Sequence, residues 1–164
     1  MFKKIKFLII GFAFVSCKVQ YGMIDGSIDA STFTVSIFEE QASNAPAGYG
    51  ASFTNFLKDF MLSRTKLNLS AVKPDIEISG KIVQYGTTPV SVQSDELAAL
   101  NRLTVAIQIS VINNKDEKQS FETTLSQFSD YSASQDLANV ETALLDDINN
   151  KLSQDIINKL TSNW

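Results

Sequence analysis

"NRLTVAIQISVINNKDEKQSFETTLSQF", residues 101–128, decides the fold. Leu103, Val105, Ile107, Ile109 and Val111 fall on one side of an extended chain, and Thr104, Gln108 and Ser110 on the other. Successive side chains of a strand point to opposite faces, so this period of two is a half-buried strand. "NNKDEK", 113–118, supplies a turn, after which Phe121, Thr123 and Leu125 alternate back. Two alternating runs about a short turn make an antiparallel hairpin. One row is dry and the other wet, so the sheet is covered on one side only.

The cover lies C-terminal to the hairpin. Leu137, Val140, Leu144, Ile148, Leu152, Ile156, Leu160 and Trp164 recur at steps of three and four, the stripe of an amphipathic helix. Ser132 with Gln135 fits a capping box, and Asp136 sits where a helix N-terminus favours negative charge. The stripe does not offset the entropy of ordering the helix alone, so the helix needs the sheet. N-terminal to the hairpin, "PDIEISGKIVQYG", 74–86, sets Ile76, Ile78, Gly80 and Ile82 on one face and Glu77, Ser79, Lys81 and Val83 on the other. Pro74 suits a strand start, where no ladder donor is needed, and Gly80 in the buried row predicts a close neighbour such as a helix side chain. Residues 86–99 read as a connection with a short strand extension at Val90 and Val92. Phe53, Phe56, Leu57, Phe60 and Met61 share one side of an earlier helix, which follows the loop 42–50. Phe33, Val35 and Ile37 alternate with Thr34 and Ser36 in a first strand. The expected architecture is α+β, a two-layer sandwich of order β-α-β-β-β-α. Its four-stranded mixed sheet carries both helices on one face.

The remaining N-terminal residues read differently. Lys3, Lys4 and Lys6 precede an apolar run, Phe7 to Val15, that covers roughly 14 Å as a helix and is too short to span a bilayer. A basic segment followed by an apolar one is the order of a secretory signal. "FVSC", 14–17, resembles a lipobox, with Phe14 where leucine is usual, which makes Cys17 the residue that receives lipid on its sulfur. The competing reading is a plain buried thiol. Cys17 is the only cysteine, so no disulfide forms within the chain, and a thioether-linked lipid would protect an exported thiol. The organisation is then a signal peptide over 1–16, a lipidated tether over 17–32 and an α/β domain over 33–164.

Composition narrows the function. The chain has 164 residues, 14 basic and 18 acidic; without the three leader lysines, eleven basic residues face eighteen acidic, a net charge of −7. No basic stripe forms, so nucleic acid is not an expected partner. Histidine is absent, which removes Ser-His-Asp and Cys-His nucleophiles and the commonest zinc and iron ligand sets. Glu39-Glu40, Asp116-Glu117 and Asp146-Asp147 are adjacent acids, but sequence neighbours diverge on helix and strand alike and do not face one substrate together. No phosphate loop, EF-hand spacing or nucleophile elbow is present, so no catalytic residue, metal site or cofactor is expected.

The order of elements resembles the LPS-assembly lipoproteins, the LptE-like family, most closely its Bacteroidetes branch. The likeness is carried by "FVSC", "FTNFLKDFMLSRTKLNL", "DIEISGKIVQYGTTPVSVQ", "NRLTVAIQISVINNKDEKQSFETTLSQFSDY" and "DINNKLSQDIINKLTSNW". The resemblance implies an outer-membrane lipoprotein, anchored through Cys17 and facing the periplasm. It further implies a plug inside the LptD β-barrel that assists insertion of lipopolysaccharide into the outer leaflet. Lys18 after the lipidated cysteine agrees with outer-membrane sorting. Two basic places that some family members use toward lipopolysaccharide fall here near Ser94 and Ala138, neither of them basic. Lys81 and Arg102 are then the nearest basic candidates for that contact, each also legible as an ordinary outward-facing strand residue. An alternative is a stand-alone periplasmic lipoprotein that binds a small amphiphile or glycan between sheet and helices.

Overall fold

A computed structural model describes residues 28–90 and 99–162. The elements run β1 (Thr32–Val35), β2 (Glu39–Glu40), α1 (Tyr49–Arg64), β3 (Asn68–Leu69), β4 (Ile76–Val90), β5 (Leu100–Asn113), a 3-10 turn (Glu117–Gln119), β6 (Phe121–Ser132) and α2 (Leu137–Thr161). The sheet order is β3-β1-β4-β5-β6, with β2 also on β4. β1, β2 and β3 pair parallel, whereas β4, β5 and β6 form an antiparallel meander. The α+β class holds. Six strands stand where four were expected, because two-residue strands β2 and β3 add to the sheet at the β1 side.

The core lies between the sheet and the helices. Phe33, Ile78, Ile82, Leu103, Ile107 and Ile109 from the strands meet Phe53, Leu57 and Met61 of α1 and Ile148, Leu152 and Ile156 of α2. Phe56 and Phe60 are only partly buried and stack on each other at the margin, ring centroids 6.1 Å apart. Trp164 lies outside the described residues.

Three local expectations are corrected. Ile37 does not continue the buried row: it is 69% exposed, while Phe38 is 1% exposed. Val35 pairs with Ile78 and Glu39 with Lys81, so four steps on the β1–β2 edge match three on β4. The one extra residue reverses the side-chain parity. Phe38 then turns inward onto Gly80, where an added Cβ would sit 2.3 Å from the Phe38 ring and 2.7 Å from the Gln108 carbonyl oxygen. The close neighbour predicted at Gly80 therefore comes from the edge strand and not from a helix. Second, β4 does not stop at Gly86 but runs unbroken to Val90, paired with Leu100; Val92 lies outside the described residues. A register shift after Ile82 turns Tyr85 into the core as well. Third, the α2 cap is Asp136, whose carboxylate accepts from the Ala138 N–H at 3.2 Å, and not the Ser132–Gln135 box.

Candidate functional site

The hairpin's wet row forms a broad outer face with no helix of the described residues over it. Ser79 lies across from Ser110, Gln108 from Thr124 and Ala106 from Ser126, so the middle of this face carries short uncharged side chains. Charged groups flank them: Lys81 continues the Gln108–Thr124 row, and Glu122 accepts from Gln108 Nε2 at 2.7 Å.

Lys81 and Arg102 both stand on this face, but apart. Lys81 is opposite Gln108 and Arg102 opposite Thr88. Six residues of β5 separate Gln108 from Arg102, about 20 Å at ~3.4 Å per residue. Each has a local acidic partner. The Lys81 ammonium is 3.8 Å from Glu39 in an exposed pair. Arg102 makes a two-pronged contact with Asp130, Nε to Oδ1 at 2.7 Å and Nη2 to Oδ2 at 2.8 Å, and its guanidinium carbon lies 3.6 Å from the centre of the Phe128 ring. The hydrogen bonds to Arg102 hold the Asp130 carboxyl below the usual carboxylate range. Planar guanidinium suits both the fork and the stack; a lysine would keep neither.

Sequence reasoning missed Phe128, Asp130 and Lys151 as neighbours of Arg102. The signal was the hairpin register, which sets Arg102 opposite Asp130 and Thr104 opposite Phe128. Lys151 reaches the same place from α2. Its ammonium contacts Asp147 at 2.5 Å, donates to the Phe128 carbonyl oxygen at 3.0 Å and lies 5.9 Å from the Phe128 ring.

The acidic neighbours diverge as expected. Glu39 faces Lys81, while Glu40 Oε1 accepts from the Gly50 N–H at 2.9 Å and so caps α1. Asp116 caps the 3-10 turn; Asp147 holds Lys151, and Asp146 is exposed. Among the described residues no group of three or more Cys, Asp or Glu converges to hold a metal ion. No helix among them is long and apolar enough to cross a membrane. Of the buried polar groups, Asn113 holds the hairpin turn, and Thr54, Asn149 and Ser153 belong to the helices. The Tyr49 hydroxyl donates to Asn149 Oδ1 at 2.7 Å, and burial raises its pKa. Burial and then the hydrogen bond to Glu141 raise that of Tyr85.

Two clefts open along β6 on the helix side. One, of about 470 Å³, lies between Phe121–Thr123 and the end of α2 at Leu160; the other, of about 370 Å³, lies between Gln127, α2 and Phe60 of α1. The space between the layers, by contrast, is filled by Phe33, Phe53, Leu57, Ile107, Ile148 and Leu152, all fully buried. Cys17 lies outside the described residues.

A family model and solved structures place the chain among known proteins. The family model LptE, described as lipopolysaccharide-assembly, matches residues 30–160. A minor lipoprotein from Acinetobacter baumannii shares the fold with a TM-score of 0.52 at 14% identity, over 82% of this chain and 94% of that one. A protein from Xanthomonas campestris gives a TM-score of 0.55 at 10% identity, over 80% and 85%. A protein from Chlamydia trachomatis gives 0.52 at 11%, over 80% and 96%. At these identities the likeness is one of fold. No curated protein sequence matches.

Proposed function

The chain belongs to the LptE family of lipopolysaccharide-assembly proteins, and on that premise we propose that it is an outer-membrane lipoprotein serving as plug and assembly partner of an LptD-type β-barrel. Its task is lipopolysaccharide transport to the outer leaflet. The observation that carries this reading, beside the family, is the bare outer face of the sheet. Strands of 15, 14 and 12 residues present Ser, Thr and Gln rows there, and neither described helix lies over them. Interiors of outer-membrane barrels are polar, so these rows suit a lumen wall, with Ile112 and Phe128 as the exposed apolar side chains at the two ends of the face.

In this reading the chain works by shape and not by reaction. Acyl chains on Cys17 hold it on the periplasmic side of the outer membrane, residues 17–32 tether it, and the sandwich occupies the lumen. Lys81 and Arg102 are the basic groups it offers to an anionic lipid, Lys81 being the more loosely held. The test is affinity capture of the full-length, anchored chain from envelope extracts. A large β-barrel protein recovered at constant stoichiometry is the expected result; a monomeric chain with no barrel defeats the proposal. Lys81→Ala and Arg102→Ala then report on lipid contact, through the lipopolysaccharide retained with the complex.

A further inference from the structure

The two edges of the sheet are not alike. At one edge β3 has two residues, and the neighbouring β1–β2 edge is interrupted and bulged; short or bulged strands are ways of blunting an edge against strand pairing. At the other edge β6 runs twelve residues in unbroken register, without proline, lysine or bulge. Its hydrogen-bonding phase follows from the Ala133 N–H, which donates to Ala99. Residues of an antiparallel pair bond alternately, so Phe121, Thr123, Leu125, Gln127 and Ser129 bond to β5. Glu122, Thr124, Ser126 and Phe128 therefore point their backbone groups off the edge. The Phe128 carbonyl is closed by the Lys151 ammonium. Lys151 ends the open stretch there.

Both clefts lie beside this same stretch. The first is walled by Phe121, Thr123 and Leu160 with Lys118, Glu122 and Lys159 at its sides, the second by Gln127, Asn150 and Asp155. Thr123 and Gln127 are four residues apart and on one face, so a strand alongside would present side chains at matching positions, about 14 Å apart. Strand addition works in this way: main-chain bonds give affinity, and pockets for alternate side chains give specificity.

We propose that the Phe121–Gln127 half of the β6 edge is a strand-addition site for an extended segment of a protein partner, with one side chain of that segment in the first cleft and another, four residues away, in the second. The outward N–H groups repeat every ~6.8 Å, a spacing that an extended backbone matches and a lipid or glycan does not. A second copy fits less well. Paired edge to edge it would bring its own α2, which packs on β6, into the space of the clefts. That the partner is the barrel rests on the reading above; the edge rests on the geometry alone.

The experiment places the photo-cross-linker benzoyl-phenylalanine at Thr124 of the full-length chain in cells and maps the adduct by mass spectrometry. The expected adduct is with an extended segment of the barrel protein. Ser126→Pro removes an outward donor without breaking a bond to β5, and is expected to cut the adduct about tenfold, whereas Ser126→Ala leaves it unchanged. Should the proline unfold the strand, Thr123→Trp fills the first cleft and gives the same loss. A self-adduct, an adduct untouched by these changes, or no adduct at Thr124 overturns the proposal. In the last case the barrel reading still stands if capture recovers a barrel. An adduct with a different protein, lost in Ser126→Pro, upholds the edge and removes the barrel reading.

Discussion

Gly80 shows how much one missing methyl group decides. Phe38 occupies the space where its Cβ would be, and the Gln108 carbonyl oxygen closes the other side. Gly80→Ala is therefore expected to destabilise by about 1–3 kcal/mol, the usual cost of overpacking, read from the denaturant midpoint. Phe38→Leu in the same chain should restore only part of it, because the backbone oxygen stays. Asp75 works by charge instead. Its Oδ2 accepts from the Ser31 N–H at 2.7 Å and the Thr32 N–H at 3.1 Å, and these bonds hold its carboxyl below the usual carboxylate range. A carboxyl depressed on folding stabilises above its unfolded value of about 3.9 and loses that contribution as pH falls through the folded one. Denaturant midpoints measured from neutral pH downward should fall over that window in the native chain. Asp75→Asn, which keeps an accepting oxygen but not the charge, should flatten that part of the profile.

Among the elements, α2 was the most legible. Its stripe needed only the 3.6-residue period, and Leu144, Ile148, Leu152 and Ile156 are buried as expected. Leu152→Ala should cost about 2–5 kcal/mol in an unfolding titration, as large-to-small changes in a packed core do, whereas exposed Asn150→Ala should cost far less. The start of α1 was not legible. Gly48 holds φ at 83°, and the helix takes its cap from Glu40, on another element, which no local pattern announces. Likewise the β1–β2 edge looked like one alternating strand. Its parity change came from pairing with β4, and a residue count along one strand cannot reveal a mismatch with its neighbour.

For the whole molecule the question is where the body is held and what it touches. Cys17→Ala is expected to abolish lipid labelling and to leave the chain soluble or unprocessed, as fractionation of labelled cells would show; a mature chain still in the membrane fraction would refute the anchor. The amino-acid sequence determined the class of fold, the sidedness of the sheet and the two covering helices, because side-chain periodicity is a property of each segment alone. Only the tertiary structure decided that Phe38 fills Gly80, that Arg102 is held by Asp130 and Phe128, and that β6 ends the sheet of the described residues beside two clefts. Those features depend on register between segments distant in the chain, which side-chain periodicity does not encode.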